Sequence, residues 1–212
     1  MTLCEVGETV ASGAVHVVFL PMTPSSSPSP ITSLCVFCGS RQGKSPAFAE
    51  AALHVGRTLA ERGIRLVYGG GSVGLMGILA DACLEAGGEV TGVITRHLMN
   101  REVGHAGVTD LILVDTMLER KSRMAEHSDA FVSLPGGIGT LDELFEMLTW
   151  TQLHLHSKPN GLLNINGYYD PMLTFLRDSV HGQGFADAEH LENLIVSDRF
   201  ENLLDGMAIL VH

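Results

Sequence analysis

"AFVSLPGGIGTLDELFE", residues 130–146, joins an apolar run, a glycine turn and a helical pattern without interruption. The run is too short for a buried helix and fits a strand covered on both faces. A strand that passes through glycines straight into a helix is half of a βαβ unit, and the helix start it exposes can hold an anion. Asp142 and Glu143 then fall in what reads as the first turn, beside that anion site. A capping box of Thr140 with Glu143 would account for the second of them. Leu141, Leu144, Phe145 and Leu148 read as the core stripe. Glu143, Glu146, Met147 and Trp150 are left on a second, partly apolar face that suggests a partner subunit.

Outward from this stretch the same alternation repeats. "SLCVFC", "IRLVY", "EVTGVI", "TDLILVD", "GLLNI" and "NLIVS" read as further strands. Helices are predicted from Ser45–Pro46 to Gly63, from the turn "GGGSVG" to Gly87, over "TMLERKSRMAEHS" and over "YYDPMLTFLRDSV", with an amphipathic helix at the end. "TRHLMNREVGHAG" reads as an irregular loop. The expected fold is α/β: a Rossmann-like, doubly wound, mainly parallel sheet flanked by helices on both faces. One such domain fits residues 33–212. Residues 1–32 hold "PMTPSSSPSP" and no Lys or Arg, which reads as a flexible N-terminal extension or a misplaced start, not a secretory signal.

The bulk properties exclude several classes. A formal charge of −11 works against a nucleic-acid partner. No stretch approaches the roughly 20 apolar residues of a membrane span. Cys4, Cys35, Cys38 and Cys83 are too scattered for a disulfide framework and suit a cytoplasmic protein. Cys35 and Cys38 form a CxxC, but inside an apolar strand, where burial is the expected reading. His154 and His156 form an HxH without further ligands nearby and read as loop residues.

In a doubly wound sheet, ligands sit outside the carboxyl ends of the strands. Gly39 with Ser40, Gly69 to Gly71, Arg120 with Lys121, and Gly136 to Thr140 all follow strands. "GGGSVG" fits both a dinucleotide fingerprint (Gly69, Gly71, Gly74) and a hydrolase elbow (Gly70, Ser72, Gly74), with Asp170 and His181 or His190 as recruits for the latter. A plain turn that admits a ligand is the third reading. Met117 and Met124 mark an inward stripe that Arg120 and Lys121 straddle.

The strings "CVFCGS", "VYGGGSVGLMG", "MLERKSRM", "LPGGIGTLDE", "TWTQL" and "GLLNINGYYD" resemble, in order and spacing, the LONELY GUY family of cytokinin riboside 5′-monophosphate phosphoribohydrolases, often labelled lysine decarboxylases. The likeness covers about residues 34–200. It implies a cleavage of the N-glycosidic bond of adenosine 5′-monophosphates, N6-modified or not, without a cofactor, in a homodimer or larger assembly. Arg120 and Glu143 match the family's catalytic pair, and Met117, Lys121, Gly136, Gly137, Gly139 and Thr140 match its nucleotide site. Gly39, Ser40, Gly70, Gly71 and Ile138 join the candidate substrate-binding set. Leu118 and Thr95 depart from the family's usual His and Pro, which bears on base preference. A non-catalytic nucleotide or cofactor carrier is the competing reading.

Overall fold

The computed structural model describes residues 31–99 and 103–211, so the expected extension lies, up to residue 30, outside them. Seven strands form one sheet: β1 (Ser33–Phe37), β2 (Arg65–Tyr68), β3 (Val90–Thr95), β4 (Asp110–Val114), β5 (Ala130–Ser133), β6 (Asn160–Leu163) and β7 (Leu194–Ser197). Their order is β4-β3-β2-β1-β5-β6-β7 and every pairing is parallel. The Rossmann-like expectation holds. The order reverses between β1 and β5, which puts the ligand crevice at the carboxyl ends of those two strands.

Among the described residues, eight α-helices connect and flank the strands: α1 (Pro46–Glu61), α2 (Gly74–Glu85), α3 (Arg96–Met99), α4 (Met117–Glu126), α5 (Ile138–Gln152), α6 (Asp170–Phe175), α7 (Ala188–Glu192) and α8 (Phe200–Ala208). Alternating residues of β1 serve opposite faces, as the period of a strand requires. Leu34 and Val36 pack with α1, α2 and α8, while Cys35 and Phe37 pack with Met124 of α4 and Met147 of α5. A smaller core joins Leu144, Leu162, Tyr169 and Leu194 at the β6–β7 end.

The helix read over 168–180 forms from Asp170, two residues late, and changes its winding midway. Asn166 and Gly167 adopt positive φ (53° and 67°), and the Asn164 side chain accepts from Tyr169 N at 2.8 Å and donates to Asp170 Oδ1 at 2.7 Å. This turn leaves Tyr168 and Tyr169 ahead of α6, and the segment ends as a π-helix over Leu176–His181. The loop read at 95–107 also gains order, since α3 opens it and Gly104 bridges back to Gly71.

Asp129, at the entry to β5, accepts from Thr32 N and Thr32 Oγ1 at 2.8 Å and from Ser33 N at 2.9 Å. Thr32, counted with the extension in the sequence reading, is thus already engaged. Burial pushes the Asp129 carboxyl up, but these hydrogen bonds outweigh it and hold it below its ordinary 3.8. A carboxyl lowered in the folded state stabilises above its unfolded value and loses that contribution as pH falls through the folded one. Asp129→Asn should therefore lower the melting temperature at neutral pH, with the difference from the parent shrinking as pH drops below about 4; thermal melts across pH check this.

Candidate active site

Helix α5 starts earlier than its sequence suggests. Its N-cap is Gly137, extended at φ −92° and ψ −162°, and no side chain caps it. Thr140 is therefore the third helical residue and buried, and the predicted Thr140–Glu143 capping box does not form. The Thr140 side chain packs instead against Gly136, in the space that a side chain there would need. The same T-x-x-E pattern does cap at α4, where Thr116 Oγ1 accepts from Glu119 N and Glu119 Oε2 accepts from Asp115 N, both at 3.1 Å. The first turn of α5 holds no acid. Its uncapped N–H groups start at exposed Gly137 and Gly139, an arrangement that favours an anion.

Glu143 lies in the second turn and faces inward. Thr140, Glu143, Leu144 and Met147 form the buried stripe. Phe145, predicted in the core, is 37% exposed, whereas Met147, assigned to the outer face, is buried. The shift follows from what each position meets: Met147 joins Cys35, Phe37 and Phe131 beneath the sheet, while Phe145 lies outside every core cluster.

Arg120 explains why a carboxylate is tolerated at that depth. It is 5% exposed, donating from Nε to Val93 O at 3.0 Å and from Nη2 to Gly69 O at 2.9 Å. Its Nη1 stands 3.4 Å from Glu143 Oε1. The guanidinium fork thus ties β3, the turn after β2 and α5 together, which a point charge could not do. A side chain on Gly69 would overlap Nη2, so glycine there is a condition of the arginine's position. Glu143 also helps to raise the Cys35 thiol, after burial, well above its ordinary range, and Cys35, Cys38 and Cys83 are all buried. The buried-strand reading of the CxxC holds.

Lys121 sits beside this pair but is already engaged by Asp142 Oδ2 at 3.0 Å and Glu146 Oε2 at 2.6 Å. Burial would pull its pKa down; the hydrogen bonds it donates to Glu146 and Asp142 prevail and raise it. Asp142 thus serves the cation on the outer side, and Glu143 the arginine within.

The remaining strand-end segments interlock. Gly39 N donates to Pro135 O at 3.2 Å, and Gly39 O accepts from Leu75 N at 3.0 Å. Gly74 lies against the backbone of Ser40 and Arg41, too close for any side chain. Gly70 takes φ +75° and its carbonyl accepts from His105 N. Ser72, the would-be elbow nucleophile, donates to Val103 O at 2.6 Å. His181 and His190 make their contacts with Ala186 and Asp187 in their own turns, which leaves no triad. Met117 and Ile138 are 43% and 82% exposed. His156, read as a loop residue, lies in the loop after α5, tilted against Phe131 and edge-on to Trp150. Sequence reasoning missed Tyr168, whose hydroxyl donates to Gly136 O at 2.6 Å; the doubled tyrosine of "NGYYD" was its only trace.

These features define a Rossmann-like α/β protein in which an open, glycine-flanked helix start adjoins a carboxylate supported by a buried arginine. A family model described as "Possible lysine decarboxylase" matches residues 76–207. A probable cytokinin riboside 5′-monophosphate phosphoribohydrolase of Oryza sativa subsp. japonica is 49% identical over 174 residues, 82% of this chain and 78% of that one. A cytokinin riboside 5′-monophosphate phosphoribohydrolase of Arabidopsis thaliana is 51% identical over 152 residues, 72% of this chain and 70% of its own. The chain belongs to the LONELY GUY family. Among solved structures, a molybdenum cofactor binding protein of Rippkaea orientalis aligns with TM-score 0.63 at 20% identity, over 88% of this chain and 100% of that one, which establishes likeness of fold.

Proposed function

We propose that the chain hydrolyses the N-glycosidic bond of adenosine 5′-monophosphates, N6-modified or not, to free base and ribose 5-phosphate. The carrying observation is the inward, arginine-held Glu143 one helical turn beyond an uncapped helix start. Breaking the bond from the base nitrogen to C1′ gives an oxocarbenium-like sugar, and a carboxylate near C1′ stabilises charge that exists only in the transition state. Water adds at C1′ and the departing base takes up a proton. Asp142 is turned to Lys121, so we assign that proton to solvent.

The 5′-phosphate would lie on the amides of Gly137 to Thr140 and lend remote binding energy that orients the sugar. Arg120, with two donors committed to backbone carbonyls, acts as a positioning residue for Glu143. Gly39, Ser40, Gly70, Gly71 and Met117 complete the proposed cleft. We further place the protein in the cytoplasm, without a cofactor, as a homodimer or larger assembly; exposed Leu118, Phe145, Leu153 and Leu155 on and beyond α4 and α5 support the last point. No helix among the described residues is long and apolar enough to cross a membrane. A pyridoxal-dependent decarboxylase is disfavoured, because Lys121 is held by two acids, Lys158 by Ala125 O, and Lys44 lies exposed in the loop after β1.

Incubation with AMP and with N6-isopentenyladenosine monophosphate should release base and ribose 5-phosphate; release from no nucleoside monophosphate overturns the proposal. Gly139→Ala separates folding from binding. No protein atom lies within 4 Å of a side chain added there, and alanine is the better helix former. The variant should melt at or slightly above the parent, by up to about 1 kcal/mol in stability, yet its KM for AMP should rise about tenfold or more.

A further inference from the structure

Two adjacent tyrosines brace the chain just before the glycine turn. Tyr169 is buried and its hydroxyl donates to Leu134 O at 2.6 Å. Tyr168 is 42% exposed and its hydroxyl donates to Gly136 O, also at 2.6 Å. The Tyr168 ring stands edge-on to Phe48, with centroids 5.6 Å apart, and to Tyr169 at 4.8 Å. Phe48 in turn fills the space that a side chain on Gly43 would need, so its ring also props the loop after β1.

We infer that Tyr168 is a positioning residue for phosphate binding: it fixes the peptide between Gly136 and Gly137 so that the Gly137 N–H faces the cleft. A peptide is planar, with its carbonyl and its following N–H pointing in opposite directions. Anchoring Gly136 O on the tyrosine side therefore aims Gly137 N–H to the other side, where the uncapped first turn of α5 begins. The device is needed because the space where a side chain on Gly137 would stand is open, so no packing there fixes the peptide, and glycine itself imposes little. The half-buried Gly136 carbonyl can be hydrated when the hydroxyl is lost, so the fold survives while the orientation of the amide does not.

The inference rests on the phosphate subsite of the proposed function, and the test separates the two. Tyr168→Phe keeps the ring contacts and removes the hydroxyl. By calorimetry its affinity for ribose 5-phosphate should fall about tenfold, and its KM for AMP should rise about tenfold, the equivalent of about 1.4 kcal/mol. The kcat at saturation should stay within about twofold and the melting temperature close to the parent's, because no transition-state contact is lost. Phe48→Leu, which loosens the brace but spares the hydroxyl, should give a smaller loss in the same direction. Unchanged ribose 5-phosphate affinity and KM overturn the inference, as does a fall in kcat and melting temperature together without a selective rise in KM. If the parent releases no base yet Tyr168→Phe still weakens ribose 5-phosphate binding, the hydrolase reading falls and the positioning role stands. A parent that binds no ribose 5-phosphate removes both.

Discussion

Glu143→Gln should leave a folded protein that still binds AMP and turns it over about 10³-fold more slowly. Glutamine keeps the length of the side chain and an acceptor for Arg120 Nη1, so the contacts of Arg120 with Val93 O, Gly69 O and position 143 are retained. What it removes is the negative charge. A neutral amide stabilises an oxocarbenium-like sugar poorly, whereas ground-state binding of the phosphate and base barely involves this position. The expected pattern is thus a collapse of kcat with KM and melting temperature near the parent's. Glu143→Asp, which withdraws the carboxylate by one methylene, should fall between the two, since a misplacement of about 1 Å costs around 10²-fold. Unchanged kcat in Glu143→Gln would reduce Glu143 to a structural partner of Arg120. Tight nucleotide binding without turnover even in the parent would favour a carrier.

The arrangement resolves why acids stand so close to an anion site. Asp142 and Glu143 are neighbours in sequence but not in space, because adjacent positions on a helix diverge by about 100°. One points out to Lys121 and the other in to Arg120, and each carboxylate has its own cation. The first turn keeps its amides without an internal acid to compete for them. On the proposed reading a phosphate would meet helix N–H groups first, with the Glu143 carboxylate one turn further along and matched by a guanidinium.

Much of this was legible in the sequence. The alternation of short apolar runs with helical periods determines a parallel sheet almost by elimination, and the glycines at strand ends mark the crevice. Arg120 and Glu143 stood out through their motifs. The start of α5 was misread because Thr140–Glu143 and Thr116–Glu119 have the same spacing, and only the backbone at Gly137 decides which one caps. Phe145 and Met147 were assigned to the wrong faces for a separate reason: the inner face carries Thr140 and Glu143, polar residues that an apolar stripe leaves out, so the face turns toward Met147. Tyr168 was hidden for a different reason. Its role depends on a carbonyl 32 positions away and on the positive-φ turn at Asn166 and Gly167, neither of which leaves a periodic signal.

Arg120→Lys keeps the charge, and should nonetheless cost both stability and activity. The three acceptors, Val93 O, Gly69 O and Glu143 Oε1, belong to different segments, and each is met by a different nitrogen of one planar group. A lysine ammonium is one compact centre on a flexible stem and cannot span them. Buried carbonyls of Val93 and Gly69 would lose donors, and Glu143 would keep a cation without a fixed orientation. Partial loss of a buried ion-pair network of this kind costs about 2–4 kcal/mol, which for a chain of this size lowers the melting temperature by roughly 10 °C. The displaced carboxylate should lower kcat by about 10²-fold or more. Circular dichroism melts and steady-state kinetics on AMP separate the two losses. If kcat falls at a temperature where the variant is fully folded, Arg120 acts through the placement of Glu143. A variant as stable and as active as the parent would mean that charge alone suffices and that the guanidinium's geometry is incidental.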